Sequence, residues 1–303
     1  MKLLQQGNKD DASQRIAVVG TFDGVHRGHR FLLDFMKTEA LCRKLEPTVI
    51  TFENHPLSII HPQDVPPQLT TIDERMELLS SCGVETCILL EFDENLRQLS
   101  ARQFLEMIFR DYGVKVLVVG FNTRFGRDCV DGFEQYEEMG REVGVAIVKA
   151  PEFGSGISSS AIRKLILNKD IVSANAALGY SFSIEGVVTE GKQLGRTIGF
   201  PTANIVIADD KKLIPPFGVY IVEVYMSHLG KTYRGMLNIG RRPTVDVTNA
   251  PMSIEVHILD YEGDLYGKTL RVEFVRFLRD ECRFASIDDL VEQLSSDREQ
   301  AKM

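Results

Sequence analysis

The chain of 303 residues has no tryptophan, and no apolar run in it approaches the ~20 residues that a membrane-spanning helix needs. Its five cysteines, Cys42, Cys82, Cys87, Cys129 and Cys282, never form a CxxC pair, which argues against a disulfide framework or a cysteine-based metal site and leaves free thiols. An excess of basic residues is missing too: 35 Lys and Arg stand against 43 Asp and Glu, a net charge of −8. That balance disfavours a nucleic-acid partner, while phosphorylated small molecules need only a few local arginines. The amino end, MKLLQQGNKDD, lacks the apolar core of an export signal, so a cytoplasmic protein with no membrane partner is expected.

What is present divides the chain in two. Short β-branched runs at 16–19, 49–52, 87–90, 116–119 and 145–148 alternate with helix-spaced apolar residues at 71–79 and 101–109, for which Thr71 and Ser100 are N-caps. Such alternation predicts a parallel sheet covered on both faces, with ligands at the carboxyl ends of its strands. Beyond residue 179 the rhythm changes to closely spaced β segments at 183–188, 218–224, 232–237, 253–259 and 270–274, then a terminal helix capped by Ser286. This part reads as a small antiparallel barrel. The expected fold class is therefore α/β plus β, with domains at 1–178 and 179–303.

The densest chemical signal is GTFDGVHRGH at 20–29, which follows the first strand and opens a helix. A glycine-rich turn into a helix start presents free N–H groups and the positive dipole end to an anion. His26 and His29, three residues apart, share one face of the first turn and together suit a phosphate. The alternatives are ordinary surface histidines or half of a metal site. The segment resembles the HxGH signature of the nucleotidyltransferases, which implies a Rossmann-like domain and catalysis by positioning and electrostatics, without a covalent intermediate. Class I aminoacyl-tRNA synthetases share HxGH, but the lysine pattern they pair with it is absent from 157–163.

Three further segments, TFENHP at 51–56, GFNTRFGR at 120–127 and ISSSAIR at 157–163, follow in an order that resembles the adenylyltransferase module of the bacterial bifunctional riboflavin kinase/FAD synthetase family. The resemblance implies that Gly20, Phe22, Asp23, Gly24, His26, His29, Asn122, Ser159 and Arg163 handle ATP. Asn54, His55 and Pro56 would line the flavin crevice. Thr123 departs from the aromatic pair usual in that loop, which motivates the alternative of a flavin-binding sensor without adenylyltransferase activity.

In the second half, GKQLGRTIGFPTAN at 191–204 combines three glycines that allow close backbone approach with the charges of Lys192 and Arg196. Thr202 and Asn204 alternate along an extended stretch and face one side, where a hydroxyl and an amide oxygen suit Mg²⁺ held by phosphates. Segments 216–220, 238–244, 255–261, 265–267 and 277–281 continue in the order of the riboflavin kinase module, so the resemblance spans nearly the whole chain. It implies ATP at Gly191, Lys192, Gly195, Arg196, Thr202 and Asn204, and flavin at Arg279 and Glu281. Glu255 becomes the expected general base, with His257, on the same strand face, competing for that role. GDLYGKT at 263–269 has one residue too few between its glycines for a P-loop and reads as a hairpin turn. The expectation is one enzyme, a monomer or weak homo-oligomer, that converts riboflavin to FMN and FMN to FAD with ATP and Mg²⁺.

Overall fold

The computed structural model describes residues 1–10, 12–120, 123–128, 132–154, 156–191, 194–241 and 252–303. The chain forms two compact units, Met1–Ser158 and Ser159–Met303. In the first, β1 (Lys2–Gln5), β2 (Arg15–Val19), β3 (Glu46–Phe52), β4 (Thr86–Leu90), β5 (Val114–Val119) and β6 (Ala146–Lys149) pair in the order β1-β4-β3-β2-β5-β6, every pair parallel. Helices α1 (Arg27–Arg43), α2 (Leu57–Ile60), α3 (Ile72–Ser81), α4 (Glu94–Gln98), α5 (Ala101–Tyr112) and α6 (Phe133–Val143) connect them. Edge strand β1, too polar to stand out in the sequence, extends the sheet beyond the expected strands.

The central strands β2 to β5 are buried on both faces because they are largely apolar, with successive residues alternating sides. Ala17, Val19, Ile50, Leu117 and Val119 pack on one face with Phe104, Leu105 and Ile108 of α5. Ile16, Val18, Val49, Val116 and Val118 pack on the other with Leu33 and Met36 of α1 and Leu79 of α3. Thr71 and Ser100 both close capping boxes, with Glu74 and Gln103 respectively, so the expected helix starts are the observed ones. The chain runs from β2 to β3 on one side and later returns to β5 on the other. The strand order therefore reverses at β2, whose carboxyl end leads into the HxGH loop.

The second unit begins with α7 (Ser159–Leu167) and α8 (Ile171–Leu178) and continues through β7 (Ser183–Thr189), α9 (Leu194–Thr197), β8 (Ala203–Val206), β9 (Gly218–Met226), β10 (Lys231–Arg241), β11 (Met252–Ile258), β12 (Thr269–Arg279) and α10 (Ile287–Lys302). Its strands close an antiparallel barrel in the order β10-β11-β8-β7-β12-β9. Asn175 ties α8 to the barrel, donating to Phe274 O (2.8 Å) and accepting from Phe182 N (2.8 Å). Ser286 caps α10 with a third capping box, as its position predicts. The 263–269 turn corrects the hairpin expectation. β11 and β12 are not neighbours, since β8 and β7 stand between them, so the segment is a crossover held to β7 by Gly267 N on Val188 O (2.9 Å).

Gly140 sets how closely α6 approaches the entry to β6: a Cβ there would lie 2.4 Å from Val145 O and 2.7 Å from Ile147 Cγ1. Alanine gains about 1 kcal/mol of helix propensity over glycine. A backbone oxygen, however, cannot rotate away. Gly140→Ala is expected to destabilise the protein by about 1–3 kcal/mol, the usual range for overpacking. Thermal unfolding reads this as a lower midpoint; an unchanged or higher midpoint would show that the contact is not limiting.

Candidate active sites

The HxGH loop runs against backbone preference. Phe22 (φ 48°), Gly24 (φ 82°) and Val25 (φ 32°) all adopt positive φ, costly for an aromatic and a β-branched residue. Burial of both side chains and a carboxylate clamp hold it there. Asp23, 2% exposed, accepts from Leu69 N, Thr70 N and Thr70 Oγ1, each at 3.0 Å. Thr70 Oγ1 also accepts from Gly24 N (3.1 Å). Asp23 thus shapes the loop with the oxygens that were expected to face ATP. On the β3 side, Thr51 Oγ1 donates to Thr21 O (3.2 Å).

His26 is the N-cap of α1, its Nδ1 accepting from His29 N (3.3 Å), which places the ring proton on Nε2. The two imidazoles stack 3.7 Å apart at 14°, with Phe22 5.1 Å from His29. A Cβ on Gly28 would come within 3.2 Å of the His26 ring, which explains the glycine between the two histidines. Burial pushes His26 down to about 4, partly opposed by Asp23. Burial, then His26 and Arg75, hold His29 well below the usual imidazole range. Both rings are therefore neutral near pH 7 and serve as hydrogen-bonding groups, whereas the sequence suggested a source of positive charge.

The other expected residues of this half are placed as follows. Asn54 uses its whole amide to join two loops, donating to Ser58 Oγ and Phe92 O (both 3.0 Å) and accepting from Phe92 N (2.8 Å). His55 Nδ1 accepts from Leu57 N (3.1 Å) in the turn where Pro56 starts α2. Gly20 N donates to Ile50 O (3.1 Å), which fixes where the loop leaves β2. Thr123 Oγ1 accepts from Gly120 N (2.9 Å) and closes the turn after β5. Asn122 lies outside the described residues. Ser159 and Arg163 stand on α7 in the second unit, Arg163 being buried. Arg75 was not singled out from sequence, although Ile72, Arg75 and Leu79 share a helix face.

In the barrel, β-pairing aligns Asn238 of β10, Glu255 of β11 and Asn204 of β8 in one row across three strands. Val256 and Ile258 are buried, and Glu255 and His257 take the opposite face. Thr202 Oγ1 donates to Glu255 Oε2 (3.4 Å). His257 Nδ1 is 2.8 Å from Pro201 O and its ring meets Phe200 edge-on at 5.3 Å, so Nδ1 carries the proton and is engaged. Gly191 packs on Asn204, where a Cβ would lie 2.0 Å from Nδ2.

Thr202, Asn238, Glu255 and His257 open onto a cleft of about 280 Å³ that brings together Gly195, Thr202, Glu255, Arg279 and Glu281 of the expected set, walled by Phe200, Met236, Leu290 and Leu294, while Asn204 is buried beside it and is not part of its lining. Arg279 is already paired. Its Nε and Nη2 bind fully buried Asp297 of α10 at 2.7–3.1 Å, latching the terminal helix to the barrel. Glu281 Oε1 accepts from Asn238 Nδ2 (3.2 Å). Arg196 is exposed on α9, and Lys192 lies outside the described residues. Asp297 is a residue of this cleft that no motif revealed, and the helix docking does; Asn238, within the 238–244 segment, takes its place by register.

Comparison with known proteins follows the same division. The FAD synthetase family model matches residues 8–161 and the riboflavin kinase family model residues 178–303. The bifunctional riboflavin kinase/FMN adenylyltransferase of Escherichia coli (strain K12) is 38% identical over 305 residues, covering 98% of this chain and 96% of that one. Its counterpart from Bacillus subtilis (strain 168) is 32% identical over 297 residues, covering 97% and 93%. A crystal structure described as a macrolide-efflux protein from Streptococcus pneumoniae is similar with a TM-score of 0.89 and 31% identity, covering 100% of this chain and 99% of that one. Among the described residues here, no helix is long and apolar enough to cross a membrane. With both family models matched in order and curated relatives aligned along nearly its whole length, the chain belongs to the bifunctional riboflavin kinase/FMN adenylyltransferase family.

Proposed function

We propose that the two reactions of this bifunctional enzyme occur at the two sites described, with the functional division at residues 178/179. Riboflavin kinase activity belongs to the barrel cleft and FMN adenylyltransferase activity to the HxGH loop. The observation that carries the kinase assignment is the placement of Glu255 within reach of Thr202 and beside Asn204 in register.

In this reading Glu255 accepts the proton of the riboflavin 5′-hydroxyl as that oxygen attacks the γ-phosphorus of ATP, and the bond to ADP breaks. His257, engaged with Pro201 O, positions the 200–202 segment and leaves the base role to Glu255. Thr202 and Asn204 offer a hydroxyl and an amide oxygen, hard donors that suit Mg²⁺ already carrying nucleotide phosphates. Bound there, Mg²⁺ supplies neutralisation of phosphate charge. The apolar wall beneath α10 suits the flat flavin ring, and the Arg279–Asp297 pair keeps that wall in place.

At the other site an oxygen of the FMN phosphate attacks the α-phosphorus of ATP and pyrophosphate leaves. The neutral imidazoles donate hydrogen bonds to phosphate oxygens, and the start of α1 adds its dipole. Gly20, Gly24 and Asn122 join the ATP site in this proposal, and His55 and Pro56 form the flavin crevice. Its dependence on ATP supports a cytoplasmic location.

Two experiments test the assignment. Wild-type protein with riboflavin, ATP and Mg²⁺ should yield FMN and then FAD by chromatography. His29→Ala should lower FAD formation from FMN by roughly 100-fold or more while sparing FMN formation, and Glu255→Gln should do the reverse. Losses that fail to separate would falsify the two-site division. Separately, Thr202→Val should raise the Mg²⁺ concentration for half-maximal FMN formation about tenfold, one ligand being worth about 1.4 kcal/mol. An unchanged Mg²⁺ requirement removes Thr202 from the metal site.

A further inference from the structure

ATP and FMN both reach the HxGH loop as anions, yet its two imidazoles are neutral near pH 7. A buried cation does stand behind the loop. Arg75 belongs to the ten-residue helix α3 and is only 4% exposed. Its Nη1 donates to Phe52 O at the carboxyl end of β3 (2.9 Å) and approaches Thr51 Oγ1 (3.4 Å). Thr51 in turn donates to Thr21 O, inside the loop. A hydrogen-bond chain therefore runs from α3 through β3 into the segment that carries both histidines.

Two buried atoms at this place have no partner among the described residues, Arg75 Nε and His29 Nδ1. A buried polar atom left unpaired is destabilising, so its presence calls for a role. The charged and titratable groups that face Arg75 are Asp23 and the thiol of Cys87, which burial pushes up to about 12 and so keeps neutral; His29 faces His26 and Arg75. Asp23 is already occupied by Leu69 and Thr70. Arginine itself stays protonated in proteins. Resting on the reading of this half as the adenylyl-transfer site, we propose that Arg75 is a positioning residue for that reaction. Through Thr51 it sets the HxGH loop against the end of β3, and its charge makes this end of the sheet attractive to phosphate.

Burial, then His26 and then Arg75, oppose protonation of His29, so the residue that draws the anion also adds to what keeps the imidazole neutral and proton-donating. Removing the charge has a definite sign: the imidazole becomes easier to protonate, and the acid limb of FAD formation moves to higher pH. A role confined to tying α3 to β3 would leave that limb where it is.

The test uses full-length protein, with FMN and ATP as substrates from neutral pH down through the acid limb and riboflavin phosphorylation at each pH as the internal control of folding. Arg75→Gln is expected to lower kcat for FAD formation by roughly 100-fold, the scale of a small misplacement, with the acid limb raised and FMN formation unchanged. Arg75→Lys should return the limb toward wild type and recover part of kcat. Thr51→Val, which keeps the charge and cuts the link to Thr21, should lower kcat with the limb unmoved. Wild-type FAD kinetics in Arg75→Gln, or a loss with an unshifted limb that lysine does not relieve, overturns the proposal. If Arg75→Gln loses both activities, Thr51→Val decides, and a wild-type kcat in that variant overturns the positioning role. A wild-type chain that forms no FAD would instead sink the adenylyl-transfer reading on which this one rests.

Discussion

The carboxylate of Asp23 carries the conformation on which the amino-terminal site depends. Positive φ at Phe22 and Val25 costs about 1–3 kcal/mol each. Three hydrogen bonds to an ionised, buried acceptor are worth about 1.5–3 kcal/mol apiece, enough to offset it when the two side chains are also buried. The clamp reaches Leu69 and Thr70, immediately before the N-cap of α3. The start of one helix thus holds the loop that leads into another, and the imidazole stack inherits its geometry from that bond.

The barrel solves a similar problem by register. Directly opposed residues on adjacent strands face the same side, so pairing alone lines up Asn238, Glu255 and Asn204. No strained loop is needed to bring those groups together. What the register does not provide is a cover, and α10 supplies it. Its buried Asp297 takes both forks of Arg279, converting an outer strand face into a cleft. Breaking such a pair leaves a buried carboxylate without its cation, which is why the latch holds firmly.

On the proposed assignment, a protein with a net charge of −8 would handle phosphate at both sites by local means. Near the HxGH loop these are a helix start, neutral imidazoles and the buried Arg75 guanidinium. Near Glu255 they are glycine backbone and oxygen donors suited to a metal. Neither arrangement depends on the overall charge, because groups within a few ångströms of a partly desolvated anion outweigh distant, screened ones.

Strands, helix starts and motif positions were legible in the amino-acid order because they rest on local chemistry. Alternation marked β2 to β6 and the barrel strands, and Thr71, Ser100 and Ser286 marked helices by capping bonds that span three residues. The HxGH and GFPTAN segments likewise announced the family to which the chain belongs. What polar side chains do within those segments was not legible. Asp23 and Asn54 spend their oxygens on neighbouring loops, Arg279 on a helix eighteen residues away, and the 263–269 turn crosses the barrel end where a hairpin was expected. Arg75 looked like one charged residue of an amphipathic helix until packing buried it. Such roles depend on partners far along the chain, and a satisfied hydrogen bond leaves no periodic trace. Local order by itself determined the elements and the two kinds of chemistry; only the tertiary structure decided which donors and acceptors remain for substrate, because most buried polar groups are paired within the fold first.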